Sequence, residues 1–108
     1  MNEIEIKVKE YIKRKCYGKE NSETYSHLAF YLNLNEREVR DIVSRLVTEH
    51  QIHIGTSQHG YFYISCDEEY RLAHSELISR IKALSQRAKG LRIGYSKIDI
   101  KPKQLELV

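Results

Sequence analysis

Arg37, Arg40, Ser44, Arg45 and Thr48 recur at short intervals in the segment NEREVRDIVSRLVT. On a helix they share the face away from its apolar side, and their guanidinium and hydroxyl donors can contact phosphate oxygens and base edges of a nucleic acid. Glu36 and Asp41 dilute that face with negative charge. A second group, Ser57, Gln58 and His59, has turn chemistry and small or polar side chains that can approach a phosphate backbone; Tyr61 beside it can stack or hydrogen-bond there. A third group is the basic set Arg87, Lys89 and Arg92. The expected DNA contacts are therefore Asn35, Arg37, Arg40, Ser44, Arg45, Ser57, Gln58, His59, Tyr61, Arg87, Lys89 and Arg92.

Catalytic chemistry has little to work with. The chain carries no Gly-rich phosphate loop and no Ser or Cys nucleophile beside an evident base. Cys16 and Cys66 are too sparse for a disulfide framework, and their spacing from the histidines lacks the close ligand pairs of zinc sites. His50 and His53 fall across the end of a helix and the start of a strand. No enzyme activity, cofactor or metal is expected, and the two thiols are expected to be reduced.

The elements that must position the donors follow from periodicity. Asn35 and Glu38 have the spacing of an N-cap and its capping-box acid, so a helix should start at Asn35 and run to about His50. Val39, Ile42, Val43, Leu46 and Val47 would form its core-facing stripe. Ahead of it, Tyr25, Leu28, Ala29 and Leu32 mark a short helix, Asn33-Leu34-Asn35 a turn, and Leu34 a plug between the two helices. Behind it, Ile52–Gly55 and Tyr61–Ser65 predict two strands joined through Ser57-Gln58-His59-Gly60, with Gly60 supplying a positive φ.

The chain should open with another helix, with Ile4, Val8, Tyr11 and Ile12 inward, lysines outward and Gly18 as C-cap. Beyond the hairpin, Asp67 should cap a long helix from about Glu68 to Ala88, stopped by Gly90, with Tyr70, Ala73, Leu77, Ile81, Leu84 and Ala88 as its stripe. Such a helix outspans a small domain. Its stripe is expected either to fold back on the first helix or to pair with a second copy of the chain, giving a homodimer.

The predicted fold class is α+β, mainly α: a winged helix-turn-helix with a two-stranded wing over residues 1–66, a long C-terminal helix over 67–90, and a basic tail over 91–108. One modest core fits 108 residues, 41% hydrophobic and 31% charged. No apolar run is long enough for a bilayer, and the charged opening MNEIEIKVKEYIKRKC resembles neither a secretory signal nor an anchor. A cytoplasmic protein making no membrane contact is expected. Net charge is +3, yet from Ser79 to Lys103 Asp99 is the single acid among eight bases. Such a run attracts phosphates, or else is simply a solvated helix end.

From about Ser26 to Arg92, the EREVRDIVSRLV helix, the HIGTSQHGYFYIS hairpin and the charged helix ending RAKGLR resemble small winged-helix proteins of phages and mobile elements of Gram-positive bacteria. That resemblance implies double-stranded DNA as partner and a role in transcription regulation or DNA replication. The last residues are similar to the glutamine-led peptide by which bacterial replication proteins dock on the sliding clamp. It would place Gln104, Leu105, Leu107 and Val108 against a host replication protein, with Val108 where the family favours an aromatic. Winged helices also serve as protein-binding modules, so an adaptor or inhibitor of a host replication or transcription component stands as the alternative.

Overall fold

In a computed structural model the described residues are mainly helical, with four α-helices and one two-stranded antiparallel sheet among them, an α+β arrangement. The structure describes residues 1–98. It divides into two compact units, Met1–His74 and Ser75–Val108.

The first unit begins with helix α1, Glu3–Lys15. Asn2 caps it: the Asn2 Oδ1 accepts the Glu5 N–H at 2.8 Å while Glu5 Oε1 accepts the Asn2 N–H at 3.0 Å. Val8 and Ile12 face the core as expected, but Ile4 is exposed and the charged Glu5 is the buried residue of the first turn. The helix ends at Cys16 rather than at the expected Gly18 cap. Gly18, with φ +85°, turns the chain into a single 3-10 turn, Lys19–Asn21.

Helix α2, Tyr25–Leu32, is capped by Thr24 and stopped by Asn33 in the left-handed region at φ 56°. Helix α3, Glu36–Thr48, follows after a three-residue turn. Leu28, Ala29 and Leu32 of α2 pack with Val39, Ile42, Val43 and Leu46 of α3 in the core, and Leu34 lies partly buried against them. Tyr25 and Val47, both expected inside, are more exposed than these. The α3 stripe is tight enough that deleting the Leu46 side chain, which has no exposed surface, should cost about 2–5 kcal/mol.

Strands β1, Ile54–Ser57, and β2, Gly60–Tyr63, pair antiparallel with Ser57 opposite Gly60 and Ile54 opposite Tyr63. The strands sit two residues closer to the tip than expected at β1 and end two residues earlier at β2. The free edge of β2 is also occupied: Tyr63 N–H donates to Cys16 C=O at 2.7 Å, and Glu23 and Tyr61 exchange two backbone hydrogen bonds at 3.0 and 2.8 Å. Gly60 has the anticipated positive φ, +119°. A further constraint there was not anticipated, since a Cβ on Gly60 would lie 2.0 Å from the Glu23 carbonyl oxygen.

Helix α4, Asp67–Ser96, starts in the first unit. Cys66, whose carbonyl accepts the Tyr70 N–H, occupies the cap position expected for Asp67. Glu69 anchors this end: its Oε1 accepts the Ser65 N–H and hydroxyl at 2.8 and 2.9 Å, and its Oε2 accepts the Lys19 N–H at 2.8 Å. The Lys19 and Ser65 backbone donors hold the Glu69 carboxyl below the usual range. The second unit comprises the rest of α4 and the residues after it. The helix does not stop at Gly90; it continues through Gly90 and Gly94 to Ser96, and none of its residues is buried. Among the described residues, no helix is long and apolar enough to cross a membrane.

Candidate nucleic-acid interface

The outward face of α3 is built by its cap and its core stripe together. Asn35 Oδ1 accepts the Glu38 N–H at 2.8 Å and Glu38 Oε1 accepts the Asn35 N–H at 3.3 Å, fixing where the first turn begins. Burial of Val39, Ile42, Val43 and Leu46 then fixes its rotation. Arg37, Arg40, Ser44 and Thr48 are left exposed. Asn35 is thus engaged through its side chain as a cap.

Two of the acids around this face, Glu36 and Glu38, are hydrogen-bonded within the fold. Glu36 Oε1 accepts the Ser26 hydroxyl at 2.6 Å, joining the start of α3 to the start of α2. Glu38 is the capping-box acid. Asp41 lines a shallow pocket of about 150 Å³ with Asn2, Ile4, Glu38, Ile42 and Arg45, on the flank facing α1. Arg45 points to that flank as well: its Nε lies 3.4 Å from Glu5 Oε2, which His50 Nε2 also approaches at 3.4 Å. The structure therefore separates Arg45 from Arg40, although the sequence spacing grouped them.

Arg40 is placed instead over the Tyr25 ring, its guanidinium carbon 5.1 Å from the ring centre. Tyr61 of β2 adjoins the pair. Burial raises its hydroxyl pKa above the ordinary value near 10, the positive charge of Arg40 acts in the opposite sense, and Tyr25 adds to the rise. Tyr25, Arg40 and Tyr61 bring α2, α3 and the sheet to one place. Sequence reasoning singled out Arg40 and Tyr61 but assigned Tyr25 to the core. The available signal was its position as the first residue after the Thr24 cap, where a ring overhangs the helix end rather than entering the helix pair.

At the hairpin tip, Gln58 and His59 are exposed and form the turn, with Gln58 Nε2 and His59 Nε2 3.3 Å apart. Ser57 is less available, since its hydroxyl bonds the Ser22 hydroxyl at 3.0 Å and accepts the His59 N–H at 3.1 Å. At the edge of β2, Glu23 is a polar hub: the Tyr11 hydroxyl donates to it at 2.9 Å and the Cys16 thiol at 3.5 Å. Burial, reinforced by Glu23, pushes both Tyr11 and Cys16 up to about 12. Neither the hub nor the burial of Cys16 was visible in the periodicity.

Arg87, Lys89 and Arg92 are exposed on α4 in the second unit. Gln104, Leu105, Leu107 and Val108 lie outside the described residues. Among the described residues there is no group of three His, Cys, Asp or Glu side chains arranged to hold a metal ion. Comparisons with protein-family models, with curated proteins and with solved structures return no match.

Proposed function

We propose that residues 1–66 form a winged helix-turn-helix and that the protein binds double-stranded DNA, in transcription regulation or replication, through α3, the wing and the basic residues of α4. The order α2, turn, α3, hairpin supports the fold, as does the segment from Cys16 to Glu23 that adds to the outer edge of β2. In this reading α3 enters the major groove and the tip residues approach the phosphate backbone. Arg37 and Arg40 are the principal contacts, with Ser44 beside them.

The observation that carries the reading is the division of labour on α3. Arg37 and Arg40 are exposed, while Glu36 and Glu38 are turned to Ser26 and Asn35. Both acids stay exposed beside the arginines, but each has one carboxylate oxygen already engaged in a hydrogen bond. The test is a fluorescence-anisotropy titration of random duplex DNA over a salt series with the wild type and Arg37→Ala/Arg40→Ala. Loss of two phosphate contacts should lower the log–log salt slope by about 1.8. Equal affinity of both proteins at every salt concentration would refute the proposal.

A second reading, an adaptor or inhibitor of a host replication or transcription component, draws support from α2. Phe30 is 81% exposed and packs edge-on against Tyr31, itself 61% exposed. Exposed adjoining aromatics are enriched in protein interfaces. In that case Phe30→Ala abolishes binding of a purified partner while Arg37→Ala/Arg40→Ala does not, and removing residues 104–108 tests the clamp-like peptide separately.

A further inference from the structure

The extension of α4 past Gly90 changes what its apolar stripe means. Leu77, Ile81, Leu84, Ala88, Leu91 and Tyr95 succeed one another at alternating steps of four and three, a seven-residue repeat with two apolar positions in each. That period belongs to a helix packing along another helix with a left-handed supercoil, with leucine every seventh residue at one of the two core positions. All six are exposed, Leu84 at 60% and Leu91 at 76%. A stripe of this length wants a helical occupant.

The flanks say which. From Leu77 to Ile98 the chain carries Arg80, Lys82, Arg87, Lys89, Arg92 and Lys97 and no acid. Arg80 and Arg87 border one side of the stripe and Arg92 the other. Only Arg80 has an ion-pair partner among the described residues, Glu76 at 2.7 Å. In a parallel pair of copies, the flanking position before one core residue faces the position five residues on in the neighbour, so Arg87 of each copy meets Arg92 of the other. In an antiparallel pair the Arg80 and Arg87 side faces itself. Either arrangement of two copies sets like charges together beside the core, which argues against the homodimer that the stripe alone suggests.

We propose that the 77–95 face of α4 docks a helix from a different protein, one with leucine or isoleucine at the matching seven-residue repeat and glutamate or aspartate along both flanks. Apolar side chains interdigitate with Leu77, Ile81, Leu84 and Leu91, and acids pair with Arg87 and Arg92. The small Ala88 lets the partner approach closely at mid-stripe. This surface shares Arg87 and Arg92 with the DNA-binding reading, so an acidic helix and DNA would compete for those two side chains, whereas Leu77, Ile81, Leu84 and Leu91 serve the docked helix alone.

The test uses the full chain with two synthetic four-heptad peptides that share Ile and Leu core positions and differ only in flanks of Glu or Lys. The Glu peptide repels itself and stays free to pair. Isothermal titration should give a 1:1 complex with the Glu peptide, about tenfold tighter than with the Lys peptide and weakened by added salt. Leu84→Asp should abolish binding, and Arg87→Glu/Arg92→Glu should reverse the preference between the peptides. Hydrogen exchange over residues 1–74 serves as the folding control for both variants. Equal binding of the two peptides, or none, overturns the proposal. So does sedimentation of the chain alone as a salt-insensitive dimer that Leu84→Asp dissociates, which would make the face a self-interface. Capture by anionic vesicles in preference to the Glu peptide overturns it in favour of a lipid surface.

Discussion

The Arg40 guanidinium lies over the ring of Tyr25, 5.1 Å from its centre. An arginine resting on an aromatic face keeps its hydrogen-bond donors free at the rim while its side chain loses fewer conformations on binding a phosphate. Under the proposed DNA-binding reading, Tyr25→Leu should weaken duplex binding about two- to fivefold, the size of an exposed cation–π contact, whereas Tyr25→Phe should bind like the wild type. Anisotropy titrations of the three proteins at one salt concentration provide the comparison.

Gly60 should tolerate no side chain. Its φ of +119° disfavours any L residue, and an added Cβ would meet the Glu23 carbonyl at 2.0 Å and the Thr24 nitrogen at 2.5 Å. These are backbone atoms that cannot swing aside. Gly60→Ala should cost more than about 2 kcal/mol, read as a lower denaturant midpoint, with hydrogen-exchange protection lost first at Tyr61 and Glu23.

Glu5 should make the fold acid-sensitive. The Asn2 N–H, helped by Arg45 and His50 and opposed by burial, holds its carboxyl below the ordinary value near 4.5. A carboxylate with a depressed folded-state pKa stabilises the fold above its unfolded value, and that contribution disappears as pH falls through the folded value. Wild-type thermal stability should consequently fall more steeply below pH 4.5 than that of Glu5→Gln, which lacks the titrating group. Parallel slopes for the two proteins would contradict this account.

Gly90 should be replaceable with profit. A Cβ there meets nothing within 4 Å, and its φ is not positive. Gly90→Ala should raise local helix stability by about 0.5–1 kcal/mol, seen as slower amide exchange around Leu91. If exchange were unchanged or faster, the continuous helix through this position would be in doubt.

Local hydrogen-bonding rules made α3 legible. Asn35 and Glu38 announced its start, and four of the five apolar residues assigned to its inner face are buried. The hairpin turn was readable from Gln58, His59 and Gly60 for the same reason. Long-range partners were not. Glu5 looks like one more charge on a charged helix until Arg45, forty residues away, turns towards it. Tyr25 reads as core until Arg40 is seen over its ring. The end of α4 was misplaced because glycine within a helix costs only about 1 kcal/mol, which neighbouring helix formers such as Arg87, Ala88, Leu91 and Arg92 can outweigh. The candidate face on α3 could be drawn from sequence; the departure of Arg45 from it could not.

The double pairing of β2 gives the hairpin a mechanical role. A pull on Gln58 or His59 is passed through Tyr61 to Glu23 and through Tyr63 to Cys16, and so into the start of α2 and the end of α1. The tip is consequently braced like a lever with two fixed supports, and an excised 52–65 peptide, deprived of both, would have too few strands to hold its shape in water.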